Sequence, residues 1–485
     1  MLSANNSYLI EKLSGLSVKE FNKLGEFLNS PFHNKSVRII RLYNFLSELF
    51  PFPDNFSVSK KSLFSHIYPG KPFSDLILRK LIFDFNSLVD EFIQIYFGNK
   101  NEFRKNNELL AFFRMRKMNK NYNHSVKKFS DRFEKAEMKN IEFYHEKKFF
   151  HKEIYNHKTD NLGFSLNGYS DIIENSQYEF VLNYIQIYYS YVKFKNSFDR
   201  NAFLNLPFIK EVINFIQKNL DEIKINHPIL FCEFLALKTI QEPDNNKNAE
   251  EIRIYLYENE FKLDVLTLKY MMLVLYNYYV GRLNKGFEEF RKPLFDLINE
   301  IDNKNLAEGV YSSFDLFLFT AVGNAIILKE FDKGEYLLEK YKHLLPASQR
   351  DHIYRINLAN IKFFKGDSDS AYSLLNSVKF SNPLHYLFAN SVLIKIYFEK
   401  GYWDSLNALM ETVKKFLQRK NNLSDYHINV YLNLIKYLNE YLKFKDDRQG
   451  LNELYKTLSD EKICNSKKWL LEIIENKLSK LNFPA

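Results

Sequence analysis

Histidine, cysteine and paired carboxylates are the side chains that would bring chemistry to this chain, and their spacing argues against most reactions. His145, Glu146 and His151 lie on one helical stretch and suggest a metal site. Two ligands on one helix face need a separation of three or four residues, and these histidines are six apart, so a solvated helix explains them better. Cys232 and Cys464 are the two cysteines. They are too few for a zinc site or a disulfide framework. Cys232 sits in the apolar run Ile229-Leu230-Phe231-Cys232 and reads as a buried small hydrophobe. No glycine-rich phosphate loop, nucleophile elbow or zinc-ligand cluster is present. The carboxylates form no isolated pair for acid–base work. No catalytic residue, metal ligand or cofactor is assigned, and the chain reads as a non-enzyme.

A second chemistry is anion binding. The formal net charge is +9, and residues 101–160 carry 15 Lys and Arg against nine Asp and Glu. Phe129, Phe133, Tyr144 and Phe149 are interleaved with those charges, so phosphate contacts and ring stacking on a nucleic acid are conceivable. The acidic residues recur at helical pair spacing, which favours a solvated face on one or two long amphipathic helices.

The elements that must position any site are helices. Hydrophobic residues make up 46% of the 485-residue chain and aromatic ones 16%, while only 14 Gly and 12 Pro are present. That balance favours an all-α protein with a ring-rich core. Ser17 with Glu20 forms a capping box before Phe21, Leu24, Phe27 and Leu28, and the helix stops at Asn29-Ser30-Pro31. A second helix is expected over 37–50, a third over 62–68, and Ser74 caps a fourth whose stripe runs from Leu78 to Tyr96 and which Gly98 closes. Helices are also expected over 179–194, 207–220, 228–241, 249–257 and 264–280. Gly281 is expected to break the last of these, and Pro207 to lie in a first turn. The start, Met1 to Asn6, shows no basic region followed by an apolar one. The longest uncharged stretch is Phe380 to Ile394, too short and polar to span a bilayer. A cytoplasmic location is expected.

One pattern then recurs three times. Lys329-Glu330-Phe331-Asp332-Lys333-Gly334 aligns with Gly366-Asp367-Ser368-Asp369-Ser370-Ala371 and with Gly401-Tyr402-Trp403-Asp404-Ser405-Leu406. The starts are 37 and 35 residues apart, a helix-turn-helix repeat length. In the second copy Ala359 and Ala371 are small where helices would cross, Gly366 ends a helix, Leu375 and Val378 point inward, and Pro383 sits in the link that follows. Copy three has Leu406 at the small position, and copy one has Lys329 at the turn glycine.

These copies resemble the tetratricopeptide repeat over about residues 314–415. The resemblance implies antiparallel helix pairs stacked into an α-solenoid, extended over 166–485, beside an N-terminal helical unit (1–100) and a basic connector (101–165). It further implies that the first helices line a groove that holds a peptide. Asn360, Phe363, Lys395 and Phe398 then fall on that surface as partner-binding residues, the amide and ammonium holding a backbone or carboxylate and the rings gripping apolar side chains. Packing of both Phe residues in a core is the competing reading. The N-terminal block, with Ser30-Pro31-Phe32-His33-Asn34 and Leu63-Phe64 to Pro69-Gly70-Lys71-Pro72-Phe73, resembles the start of an uncharacterised group of long helical bacterial proteins. The expected function is a protein-interaction scaffold. The alternative is nucleic-acid binding or regulation through 101–160.

Overall fold

The computed structural model describes residues 2–3, 7–53, 56–98, 101–162, 168–197, 203–309, 314–376, 382–419 and 423–482. The fold is all-α, and two compact units divide the chain. One comprises Met1–Lys135 with His145–Ser176, the other Ala136–Tyr144 with Gln177–Ala485.

In the first unit a two-residue strand, β1 (Leu2–Ser3), pairs antiparallel with β2 (Ser57–Val58). The helices are α1 (Tyr8–Ser14), α2 (Val18–Asn29), α3 (Val37–Ser47), α4 (Lys60–Ile67), α5 (Asp75–Gly98), α6 (Glu102–Met115), α7 (Asn119–Glu134) and α8 (Ile141–Leu162). The capping box forms as expected. Ser17 Oγ accepts from the Glu20 N–H, and the Glu20 carboxylate accepts from the Ser17 N–H at 2.9 Å. Phe21, Leu24, Leu42, Leu63 and Phe85 build this unit's interior. Gly25 lets α2 approach α3, because a Cβ there would lie 2.4 Å from the Tyr43 hydroxyl oxygen. Residues 101–160 form three helices rather than one or two. Lys117 turns left-handed at φ 55°, and the Met118 N–H closes α6 by donating to the Phe113 carbonyl.

The second unit takes in α9 (Tyr169–Ser197) from Gln177 on, and continues through α10 (Ile209–Lys218), α11 (Leu220–Asn226), α12 (Pro228–Gln241), α13 (Asn246–Asn259), α14 (Val265–Asn284) and α15 (Arg291–Asn303). Then come α16 (Phe314–Ile327), α17 (Phe331–Tyr341), α18 (Arg350–Phe364), α19 (Ser368–Leu375), α20 (Pro383–Glu399) and α21 (Trp403–Gln418). The last three are α22 (Asp425–Phe444), α23 (Arg448–Asp460) and α24 (Lys467–Asn482). Three expectations shift. Pro207 precedes α10 rather than lying in its first turn. Gly281 lies inside α14, where apolar neighbours carry the helix past it. Pro383 is the first residue of α20, capped by the Asn382 side chain, rather than part of the link. Val378 lies outside the described residues.

A shared backbone closure marks the pairs. The Phe287, Glu330, Asp367 and Tyr402 N–H groups donate five residues back, to the carbonyls of Arg282, Ala325, Lys362 and Tyr397, at 3.2, 2.8, 2.9 and 2.9 Å. Each bond wraps a left-handed residue: Gly286, Lys329, Gly366 and Gly401, at φ 87°, 63°, 88° and 68°. This is the Schellman ending of a helix, which satisfies its last carbonyls and reverses the chain. Beyond the turns, α14 packs on α15, α16 on α17, α18 on α19 and α20 on α21, while α18 also packs on α16 and α20. Small residues admit the crossings. A Cβ on Gly334 would meet the Ala325 Cβ at 3.3 Å, and Ala359 and Ala371 are fully buried. Asp302, at the end of α15, accepts from Lys333 and Lys340 at 2.8 Å and from the Tyr341 hydroxyl at 2.7 Å, tying α15 to α17. Among the described residues no helix is long and apolar enough to cross a membrane.

Candidate functional site

The first helices of successive pairs, α16, α18 and α20, turn one face toward a cavity of about 830 Å³. Phe319, Asn357, Asn360, Phe364, Phe388, Ser391 and Lys395 line that side. The opposite side comes from the chain's own C-terminal segment, Cys464 to Trp469 with Leu471 and Glu472. Several bonds hold this segment in place. The Asn465 N–H donates to the Val430 carbonyl at 3.0 Å, Asn433 Nδ2 to the Ile463 carbonyl at 2.7 Å, and Lys468 Nζ to the Ile327 carbonyl at 3.1 Å. Gly286 belongs to the same closure: a Cβ there would sit 2.8 Å from the Lys462 carbonyl oxygen.

Most polar groups on the helix side are already satisfied. Asn357 Nδ2 donates to the Ile353 carbonyl at 2.9 Å, and Ser391 Oγ to the Phe388 carbonyl at 2.8 Å. Both bonds return to the residue's own helix, leaving little to offer a ligand. Lys395 differs. Its side chain is 3% exposed, and among the described residues its ammonium donates one long hydrogen bond, 3.4 Å to Asn360 Oδ1. Phe364 and Phe363 place their rings 4.7 and 5.6 Å from the ammonium. Burial pushes the amine down to about 7, against the pull of Glu399 one turn along α20. Across the cavity, Trp469 is buried, and its indole N–H finds no acceptor among the described residues. The site therefore holds two underused donors, a mostly apolar wall, and room for a small ligand or a few inserted side chains.

The four residues expected to line a groove divide evenly. Asn360 and Lys395 line the cavity and meet each other. Phe363 is 3% exposed and packs in the interior with Ile356 and Leu387, so its ring backs Lys395 from beneath rather than facing a partner. Phe398 is half-buried and meets Trp469 and Tyr441 edge-on, with ring centroids 5.3 and 5.5 Å apart. Trp469 was not legible as a site residue. It stands 74 residues beyond Lys395, in a segment with no repeat register to place it.

The other candidates find local partners. Glu146 is buried and accepts from Asn107 Nδ2 at 2.8 Å, the His145 ring meets Phe149, and His151 Nδ1 lies 3.5 Å from Asp171 Oδ2. Among the described residues no three His, Cys, Asp or Glu side chains gather as a metal site would require. In the basic stretch Arg104 pairs with Glu108, Lys105 with Glu102, and Arg114 with both Glu153 and Asp160. Cys232 is buried, and burial pushes its thiol well above the ordinary range. Compared with known proteins, the chain matches no family model, no curated protein and no solved structure.

Proposed function

We propose that residues 314–415 are stacked tetratricopeptide-like helix pairs, that the array extends through 166–485 as an α-solenoid, and that the chain is a non-enzymatic scaffold binding a protein partner along the face of its first helices. The observation that carries this reading is the Schellman closure repeated at Lys329, Gly366 and Gly401, at the spacing of the sequence repeat. A repeated turn with first-helix contacts from α16 to α18 to α20 is what a stack of pairs requires. The partner is read as an apolar segment carrying a hydrogen-bond acceptor or carboxylate. Such a group would satisfy Lys395 and the Trp469 N–H, which are buried and otherwise poorly paired. Pairing of Arg104, Lys105 and Arg114 within their own unit weighs against the nucleic-acid alternative.

The test is site-specific photo-crosslinking in the native host. A benzophenone side chain placed at Lys468, on the cavity rim, is expected to capture a discrete protein. The same group at Ser373, exposed on the second helix α19, is expected to capture none. The capture at 468 should be lost in Lys395→Met. Equal products from both positions, or a product at 468 indifferent to Lys395→Met, would remove the groove reading.

A further inference from the structure

Apart from the groove, one acid lies where a core should have none. The α12 run Pro228 to Leu237 is apolar throughout except for Glu233, which is 5% exposed. Gln186 Nε2 donates to Glu233 Oε1 at 2.7 Å and the Tyr270 hydroxyl bears on the same carboxyl, while Oε2 has no close hydrogen-bond partner among the described residues. Packing alone would be better served there by Leu or Met, so an orphaned buried carboxyl oxygen needs a reason. It has a cavity to face. A space of about 560 Å³ opens between α9, α12 and α14, lined by Gln186, Tyr189 and Phe194 from α9, Glu233 from α12, and Thr267 and Tyr270 from α14. The α9 residues recur at helical spacing, so one face of that helix supplies its side of the cavity. Tyr189 and Tyr270 meet edge to face, with centroids 5.4 Å apart.

We infer that this cavity is a binding site for a small organic ammonium ion, with Glu233 as the counter-charge and the Tyr189, Tyr270 and Phe194 rings as the aromatic wall. One carboxyl oxygen without a close partner, in a cavity also lined by the Tyr189, Tyr270 and Phe194 rings, matches a monocation bearing alkyl groups. A divalent metal would want several oxygen or nitrogen donors, and a single carboxylate with an amide and two phenols is a poor set for one. An anion would meet the wrong charge at the base of the cavity. Lys193 stands exposed on the rim and makes no ion pair with Glu233, so the chain's own ammonium leaves the position open. Burial holds the Glu233 carboxyl up at about 7, the range in which arrival of a cation decides whether it ionises. This site is independent of the groove reading.

Titration calorimetry on the full chain tests the assignment, with choline, n-butylammonium and the neutral choline isostere 3,3-dimethylbutan-1-ol as probes at matched ionic strength. At least one of the two ammonium ions is expected to bind saturably and at least tenfold more tightly than the alcohol, and the stronger of the two identifies the headgroup as quaternary or primary. Glu233→Gln keeps an acceptor for Gln186 and is expected to fold and to erase the preference. Tyr270→Leu retains the carboxylate and is expected to weaken the stronger ammonium severalfold, which keeps the test decisive if the first variant misfolds. Binding of the alcohol as tightly as the cations, no saturable binding of either cation, or cation binding unchanged in both variants would overturn the site.

Discussion

Lys395 and Glu233 are titratable groups carried into buried surroundings, and each should leave a mark on stability that pH can read. Burial lowers the folded Lys395 from 10.5 to about 7, so between those values the unfolded chain binds the extra proton and stability rises with pH. Below about 7 both states are charged and the full penalty remains, at most about 5 kcal/mol for a shift of this size. Lys395→Met is therefore expected to stabilise the protein at pH 6 and to flatten the rise between pH 7 and 10, as measured by urea denaturation. An unchanged slope would mean that the amine is solvated. Glu233 acts with the opposite sign. Its folded value is raised from 4.5 to about 7, so stability falls as pH rises through that interval, by about 3 kcal/mol at most. Glu233→Gln is expected to remove that fall. Sequence made one of these residues visible. Lys395 was reached through the repeat register, whereas Glu233 in its apolar run gave no sign of the cavity beside it. Register also placed Phe363 on the groove, but it lies on the buried side of α18, because a helix at a pair junction buries more than one stripe.

At the scale of the element, the turns carry the most information per residue. Left-handed backbone costs an L-residue about 1 kcal/mol or more, and glycine little. Gly366 has open space where a Cβ would go, so Gly366→Ala isolates that backbone cost and should destabilise by roughly 1 kcal/mol. Lys329 occupies the same left-handed position with a side chain already present, and Lys329→Gly should stabilise by a similar amount. Opposite signs from two equivalent turns, read by thermal unfolding, would show that one closure serves both pairs. Equal signs would break the equivalence. These turns were legible because glycine and proline punctuate so sparse a sequence, and helix type and order followed from apolar periodicity. Boundaries were less legible where context outweighed local cues. Gly281 is carried inside α14 by apolar flanks, and the three helices of 102–162 read as fewer because charge there masks the break at Lys117.

Across the second unit, the feature invisible to sequence is the return of residues 464–472 onto one face of α16, α18 and α20. Lys468 bonds to Ile327, 141 residues earlier, and no local pattern encodes a contact of that reach. Its residues are nonetheless chosen for burial: Leu470 and Ile474 are fully buried and Trp469 nearly so. Only two tryptophans occur in the chain, and Trp403 is 45% exposed against 5% for Trp469, so each reports a different environment. Replacing Trp403 with Phe leaves Trp469 as the sole tryptophan, read by excitation at wavelengths tyrosine does not absorb. Its fluorescence is expected at short wavelength and shielded from acrylamide, because the indole is sealed between Phe398 and the cavity. Truncation by Trp469→Ala removes a large buried ring and should cost roughly 3–5 kcal/mol, since the surrounding helices cannot close the space. The same variant should bind an apolar dye more strongly than wild type, because the wall on the C-terminal side of the cavity is gone. A red-shifted, readily quenched Trp469 with little loss of stability would mean that the segment does not close over α16, α18 and α20 in solution. The cavity would then be an open face, and Lys395 would no longer be isolated from water.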